Sequence, residues 1–362
     1  MIKRTLVAIV LFFCMTAGAA ERVLLVVSSA GTADDPESGY EFDELAQAWW
    51  TFVDNGYDVE IASPAGGEPQ SEERNPMWAF NSRFLEDETA MAAAADTIPL
   101  AEVSADDFDA VFVIGGSGAA VDLPTNTHLQ ALIADIHEKD GVIGAVCHGP
   151  AALVNVTVDG QSFLAGRNVT AFTDAEEALF GEKDGDGESL ESAIVAEGAR
   201  FDSAGIMQIH VVEDDRLVTG QNPFSTALTA EATIRAMGGE PVARSPYRSE
   251  TTMELAKLAV DKGLEPAAAR LADNPEGHEP MFLAMLGYYQ FAAATDEDSV
   301  RDALTLMTLS HPYFQHDSVD LAMASAHERL GDIDAARRVL DGLLKRSPES
   351  EAARERLAAL AE

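Results

Sequence analysis

Two patterns of apolar residues alternate along the first two thirds of the chain. Arg22-Val23-Leu24-Leu25-Val26-Val27-Ser28-Ser29 gathers its aliphatic residues into one unbroken run that ends in small polar residues. That is the pattern of a parallel strand buried on both faces. A loop rich in Gly, Asp and Pro follows, and residues 41–53 carry helical periodicity. Asp58 to Ser63 predicts a second strand, closed by Pro64 and the pair Gly66-Gly67. Two short helical stretches are expected at 77–87 and 89–95. A third strand, Asp109 to Ile114, runs into Gly115-Gly116-Ser117-Gly118. A helix over 126–139 then leads to a fourth strand, Val142 to Val146. Further strands are expected at 168–172 and 216–219, with a helix over 225–237. Strands alternating with helices predict a doubly wound, mostly parallel α/β sheet. In such sheets ligands sit beyond the carboxyl ends of the strands, where the Gly115 and Cys147 loops both lie.

Past Arg244-Ser245-Pro246 the pattern changes. From Glu250 onward only helical periodicity remains, with many alanines and no strand. Leu321 to Asp332 carries a Leu330-Gly331 turn, continues through Ala335-Ala336-Arg337-Arg338-Val339-Leu340 and is followed by Pro348. This resembles a tetratricopeptide helix pair. The expected organisation is an α/β domain over 21–245 and a helical, tetratricopeptide-like domain over 246–362.

The first twenty residues read as a secretory signal peptide. Lys3 and Arg4 precede an apolar run from Leu6 to Met15, and Ala17-Gly18-Ala19-Ala20 offers a small-residue cleavage site. The run is too short to cross a bilayer comfortably, and Phe13 before Cys14 does not fit a lipidation box. Cleavage is expected near Ala20, which places the protein in a periplasm or outside the cell. Only two cysteines occur in the chain. Loss of Cys14 with the leader leaves Cys147 without a partner, which excludes a disulfide framework. With 62 acidic and 24 basic residues the formal net charge is −38. Such a surface repels nucleic acid and anionic membrane, so neither is an expected partner.

The sharpest local feature is Gly144-Ala145-Val146-Cys147-His148-Gly149-Pro150-Ala151. A strand runs into Cys147 and a helix is expected from about Pro150. Small residues on both sides permit the strained turn of a nucleophile elbow. The helix amino terminus would then favour thiolate and lower the pKa of the cysteine. His148 follows directly and could position or protonate a substrate.

These residues resemble the DJ/PfpI superfamily, whose fold is flavodoxin-like and related to class I glutamine amidotransferases. The resemblance covers Val23 to Met237. Ser63-Pro64-Ala65-Gly66-Gly67 is similar to the family's strand-end motif. Val113-Ile114-Gly115-Gly116-Ser117-Gly118 is similar to its Gly-Gly-His-Gly loop, with Ser117 in place of histidine. Val218-Thr219-Gly220-Gln221-Asn222-Pro223 is similar to its closing Thr-Gly-x-Asn-Pro. Within the superfamily, Gly39-Tyr40-Glu41-Phe42-Asp43-Glu44 has the spacing of the heat-inducible glyoxalase branch and puts a carboxyl at Glu44. Thr170-Ala171-Phe172-Thr173-Asp174-Ala175-Glu176-Glu177 matches that branch's third motif. Its spacing from the cysteine favours Glu177 as the group orienting His148, with Glu176 as the alternative.

The resemblance implies a glutathione-independent glyoxalase of type III. Cys147 would attack a small reactive carbonyl such as methylglyoxal, and Glu44 would move a proton between its carbons. Gly116, Ser117 and His148 would bind substrate or the developing oxyanion, with no cofactor and no metal. It also allows a homodimer and a protein partner for the helical tail, and leaves both open. Two rival readings remain. One is an amidase, peptidase or amidotransferase of the same fold. That chemistry wants a downstream His-Pro-Glu cluster, and the α/β domain offers only His210, in an apolar run that reads as core. The other is a non-enzymatic holdase or redox-stress protein, which would tolerate loss of Glu44 and Cys147. Asp184-Gly185-Asp186-Gly187-Glu188 lacks the full spacing of a calcium loop. The Gly115 loop lacks the lysine of a phosphate loop.

Overall fold

The computed structural model describes residues 20–32, 34–35, 38–180 and 189–360. The expected leader and the acidic run 184–188 lie outside the described residues. Seven strands form one sheet in the order β10-β11-β5-β4-β1-β2-β3. They are β1 (Arg22–Val26), β2 (Asp58–Ser63), β3 (Ile98–Pro99), β4 (Ala110–Val113), β5 (Val142–Val146), β10 (Val211–Asp214) and β11 (Leu217–Gly220). Two small ladders lie outside this sheet: β6 (Thr157–Val158) with β7 (Gln161–Ser162), and β8 (Asn168–Val169) with β9 (Arg200–Phe201). Only β10 pairs antiparallel in the main sheet. Strands β4 and β5 are buried at every residue, because helices cover both faces of a parallel sheet.

The helices of this part are α1 (Phe42–Asp54), α2 (Ala79–Glu86), α3 (Glu88–Ala95), α4 (Ser117–Asp122), α5 (Thr127–Glu138), α6 (Asp174–Phe180), α7 (Leu190–Ala196) and α8 (Thr226–Ala236). One apolar core lies on the α5 side and includes Leu129, Ile133 and Ile143. The other lies on the α1 side, where Phe42, Trp49, Trp50 and Phe84 pack edge to face. Both Trp49 and Trp50 are therefore core residues, and the indole N–H of Trp50 donates to the Phe80 carbonyl at 3.1 Å.

The strand expected over 168–172 shrinks to Asn168–Val169, which pairs with β9 rather than with the main sheet. Thr170 is diverted: its N–H donates to the hydroxyl of Thr219 at 2.9 Å. Phe172 N–H instead bonds the carbonyl of Cys147 at 2.9 Å. Strand β10 was not expected, since its Val-Val-Glu-Asp sequence offers only two apolar residues at an exposed edge.

From Arg248 every described element is helical: α9 (Arg248–Lys262), α10 (Leu264–Asp273), α11 (Pro280–Ala293), α12 (Glu297–Ser310), α13 (Asp317–Arg329), α14 (Ile333–Arg346) and α15 (Glu351–Ala359). This tail packs on the α/β part, because Met207, Ile209 and Phe224 join the core made by Met253, Leu271, Leu283 and Leu286. No helix among the described residues is long and apolar enough to cross a membrane.

Candidate active site

The carboxyl ends of β1, β4 and β5 lie side by side, with Val26 level with Val113 and Val113 level with Ala145. The loops leaving them converge on one cavity of about 280 Å³. Cys147 stands at the first residue beyond β5 with φ +59°, a left-handed conformation that costs a non-glycine residue about 1–3 kcal/mol. Two main-chain bonds hold it there. Its N–H donates to Gly220 O at 2.9 Å, and its carbonyl accepts from Phe172 N at 2.9 Å. The elbow aims the sulfur at the cavity while leaving it only 4% exposed.

Glu44 sits in the first turn of α1 and is fully buried. Its Oε2 accepts from the N–H of Gly115 at 2.7 Å, and the carboxyl lies close enough to the Cys147 thiol to raise its pKa. Oε1 is buried and has no hydrogen-bond partner among the described residues. Gly115 makes this approach feasible. A Cβ there would meet Cys147 Cβ at 2.8 Å, His148 N at 2.8 Å and Glu44 Oε2 at 2.9 Å. Gly116 follows with φ +93°, and its backbone N–H lies close enough to the sulfur to oppose the rise in the thiol pKa.

On the other side of the sulfur, His148 Nδ1 lies 3.5 Å from Sγ. Its Nε2 lies 2.8 Å from Glu177 Oε1. A carboxylate can only accept, so Nε2 carries a proton and Nδ1 of the neutral ring faces the thiol with its lone pair. The ring rests against Phe172 at 4.7 Å between centroids. The structure brings Cys147, His148, Glu44 and Glu177 together, and separates Glu177 from Glu176. The carboxylate of Glu176 is fully buried and accepts from Thr173 N and Oγ1 at 3.0 and 2.9 Å and from Met207 N at 2.7 Å. Gln221 Nε2 and Asn222 Nδ2 each donate to it at 3.0 Å. Glu176 thus anchors α6 to the end of β11 while its neighbour reaches the histidine.

Two expectations are corrected. The helix expected after Cys147 is a single 3₁₀ turn, Gly149–Leu153, with Pro150 in its first positions. So short a turn has little macrodipole. The thiol pKa is accordingly not lowered: burial and the adjacent Glu44 carboxyl push it well above the ordinary cysteine value. Burial also pushes Glu44 well above the ordinary carboxylate value. One buried site that cannot hold two charges shares a proton between them. Ser117, expected to bind substrate or the oxyanion, lines the cavity beside Gly116. Its N–H and hydroxyl both donate to Glu72 Oε1, at 2.9 and 3.0 Å.

Sequence reasoning missed the rest of the cavity lining. Glu41, Asp43 and Glu72 bring three carboxyls, and Trp78, Phe172, Met207, Phe224 and Phe282 bring apolar surface. Burial pushes Asp43 up to about 6, although the amide of Asn81 opposes the shift. Glu41, Asp43 and Phe172 lie inside motifs already singled out for other members, whereas Glu72, Trp78, Met207, Phe224 and Phe282 come from segments far apart in sequence that no local motif marks. His210 is not part of the lining, and its Nε2 faces Asp202 at 3.3 Å. Among the described residues no group of three or more His, Cys, Asp or Glu is arranged to hold a metal ion.

Residues 21–236 match the family model described as DJ-1/PfpI family, which covers more than half of the chain. The chain belongs to the DJ-1/PfpI family. A tetratricopeptide repeat model matches residues 318–360. Among DJ-1/PfpI relatives, "Glutathione-independent glyoxalase hsp3101" of Schizosaccharomyces pombe is 32% identical over 234 residues, 59% of this chain and 95% of that protein. "Glyoxalase 3" of Candida albicans is 29% identical and matched over 98% of its length. The crystal structure of glyoxalase III from Candida albicans superposes with TM-score 0.55 and 27% identity, covering 60% of this chain and 97% of that one. Rapid Encystment Protein 24 kDa of Francisella tularensis gives TM-score 0.55 at 31% identity over 60% and 99% of the two chains.

Proposed function

We propose that the protein is a glutathione-independent glyoxalase that converts 2-oxoaldehydes such as methylglyoxal to 2-hydroxy acids, with Cys147 as nucleophile. The observation that carries this reading is that the buried Glu44 carboxyl, held by Gly115 N at 2.7 Å, and His148 Nδ1, 3.5 Å from Sγ, both stand beside the Cys147 sulfur. The names of the relatives agree with it.

The chemistry follows from the geometry. Sγ adds to the aldehyde carbon, and the shared proton ends on the aldehyde oxygen as a hemithioacetal. N–H groups of Gly116 and His148 hold the charge that develops on that oxygen. Glu44, as carboxylate, removes the hydrogen on the former aldehyde carbon and gives an enediol. The hydroxyl proton of the former aldehyde oxygen passes to the neighbouring ketone oxygen and Glu44 returns its proton to the neighbouring carbon, which leaves the former aldehyde oxygen as the carbonyl of a 2-hydroxy acid thioester. Water, deprotonated by His148 Nδ1, cleaves the thioester and restores the thiol. Glu177 fixes the His148 tautomer and steadies the imidazolium. The net change is addition of one water to the substrate, with no redox partner.

Incubation with methylglyoxal and assay of lactate tests the reaction. Cys147→Ala and Glu44→Gln should each lower turnover by about 10²–10⁴-fold, and unchanged turnover in either rejects the assigned pair. We also propose that the chain is exported and cut near Ala20. Strand β1 begins at Arg22, so such a cut leaves the sheet whole. Amino-terminal sequencing of the protein from a periplasmic or secreted fraction checks this, and an intact Met1 there contradicts it.

A further inference from the structure

The α/β part alone does not complete the cavity above Cys147. Phe282, in the first turn of α11, forms part of its wall. Its ring stacks on Trp78 at 5.0 Å with an interplanar angle of 14°. Trp78 stacks in turn on Phe80 at 5.8 Å and 8°, and Phe224 meets Phe282 edge-on at 6.0 Å. The DJ-1/PfpI match ends at residue 236, so this wall residue comes from a segment outside the family domain. It is held firmly, since Leu283 and Leu286 on the same helix are buried in the tail core.

We propose that the helical tail sets the substrate class. Phe282 selects 2-oxoaldehydes bearing an aryl or bulky apolar group over methylglyoxal, in the reaction proposed above, on which this assignment rests. Four aromatic rings and one methionine line the cavity, with planar faces suited to stack on a flat substituent. At about 280 Å³ the cavity leaves room beyond a three-carbon aldehyde. Among the described residues three carboxyls and no lysine or arginine line it, so an anionic substituent is disfavoured and a neutral one accepted.

The test uses the full chain with Phe282→Ala and Phe282→Leu, the second keeping apolar bulk against the tail core. Thermal unfolding establishes that both variants are folded. In the unsubstituted protein kcat/KM for phenylglyoxal should exceed that for methylglyoxal. Phe282→Ala should lower the ratio of the phenylglyoxal to the methylglyoxal value about tenfold, with Phe282→Leu between. A parallel readout does not depend on turnover: alkylation of Cys147 by phenacyl bromide and by bromoacetone. In each case Sγ displaces bromide, a C–S bond replaces the C–Br bond, and the thiol proton is released. The phenacyl-to-acetonyl rate ratio should fall in Phe282→Ala by the same factor. An unchanged ratio in both assays overturns the assignment and leaves the glyoxalase reading standing. Alkylation selectivity that falls while neither aldehyde is turned over sinks the glyoxalase reading and keeps Phe282 as the selecting residue.

Discussion

Gly115 shows how little space separates the reacting groups. A methyl group at that position would press at once on Cys147, His148 and Glu44, each within 2.9 Å. Two of those contacts are to well-fixed atoms, the Cys147 Cβ and the His148 main chain, so the strain falls on the Glu44 contact. Gly115→Ala should therefore lower glyoxalase turnover at least about 100-fold, while overpacking costs only about 1–3 kcal/mol of stability. Steady-state kinetics beside a urea titration separates the two effects, and retained turnover would show that the thiol and carboxyl need not touch. The pair Glu176 and Glu177 illustrates what was legible at this scale. Sequence spacing pointed to Glu177, but adjacent residues on a helix point about 100° apart. Only the fold reveals which one faces His148. The closing Thr-Gly-Gln-Asn-Pro segment was legible as a motif, whereas its work, binding Glu176 through Gln221 and Asn222, was not.

Helices and strands of the α/β part were largely legible because each carries its own period: α1, α5, α8 and the four central strands lie where the pattern put them. Elements defined by distant partners were not. Strand β10 exists because β11 pairs with it, and Phe282 enters the cavity because α11 packs over Phe224. The join between the two parts rests on Arg244. Its guanidinium grips both oxygens of Glu250 at 2.6 and 2.8 Å and reaches Glu231 at 2.7 Å. Glu250 is only 2% exposed and caps α9 by accepting from Tyr247 N at 2.6 Å. Arg244→Ala strands a buried carboxylate and should cost about 3–5 kcal/mol in chemical denaturation. Arg244→Lys should recover only part of that, since a single ammonium cannot repeat the bidentate grip. A loss below about 1 kcal/mol in the alanine variant would show that the two parts are joined by apolar packing alone.

Across the whole molecule the charge of −38 sets the solution behaviour. Self-repulsion opposes the compact state and is screened by salt. The melting temperature should rise by several degrees between about 10 mM and 1 M sodium chloride, followed by circular dichroism. A flat or falling profile would mean that local ion pairs, such as Arg22 with Glu60 and Arg83 with Asp54, outweigh the net charge. The same acidity reaches the site, where burial and then the charges of Asp43, Glu72 and Glu44 raise the pKa of Glu41, and burial with Glu72 and Asp43 raises that of Glu44. In that setting a free thiolate is disfavoured, and in the proposed reaction the sulfur depends on Glu44 to hold and return its proton.

That dependence is open to direct measurement through the pH profile of Cys147 alkylation by iodoacetamide, in a chain beginning at Glu21 and in its Glu44→Gln variant. A neighbouring carboxylate raises a thiol pKa, so removing its charge must lower it. The account predicts a midpoint above the ordinary cysteine value of about 8.5 in the unsubstituted chain, and a midpoint shifted downward in Glu44→Gln. Identical midpoints in the two proteins, or a midpoint below that value before substitution, would contradict it.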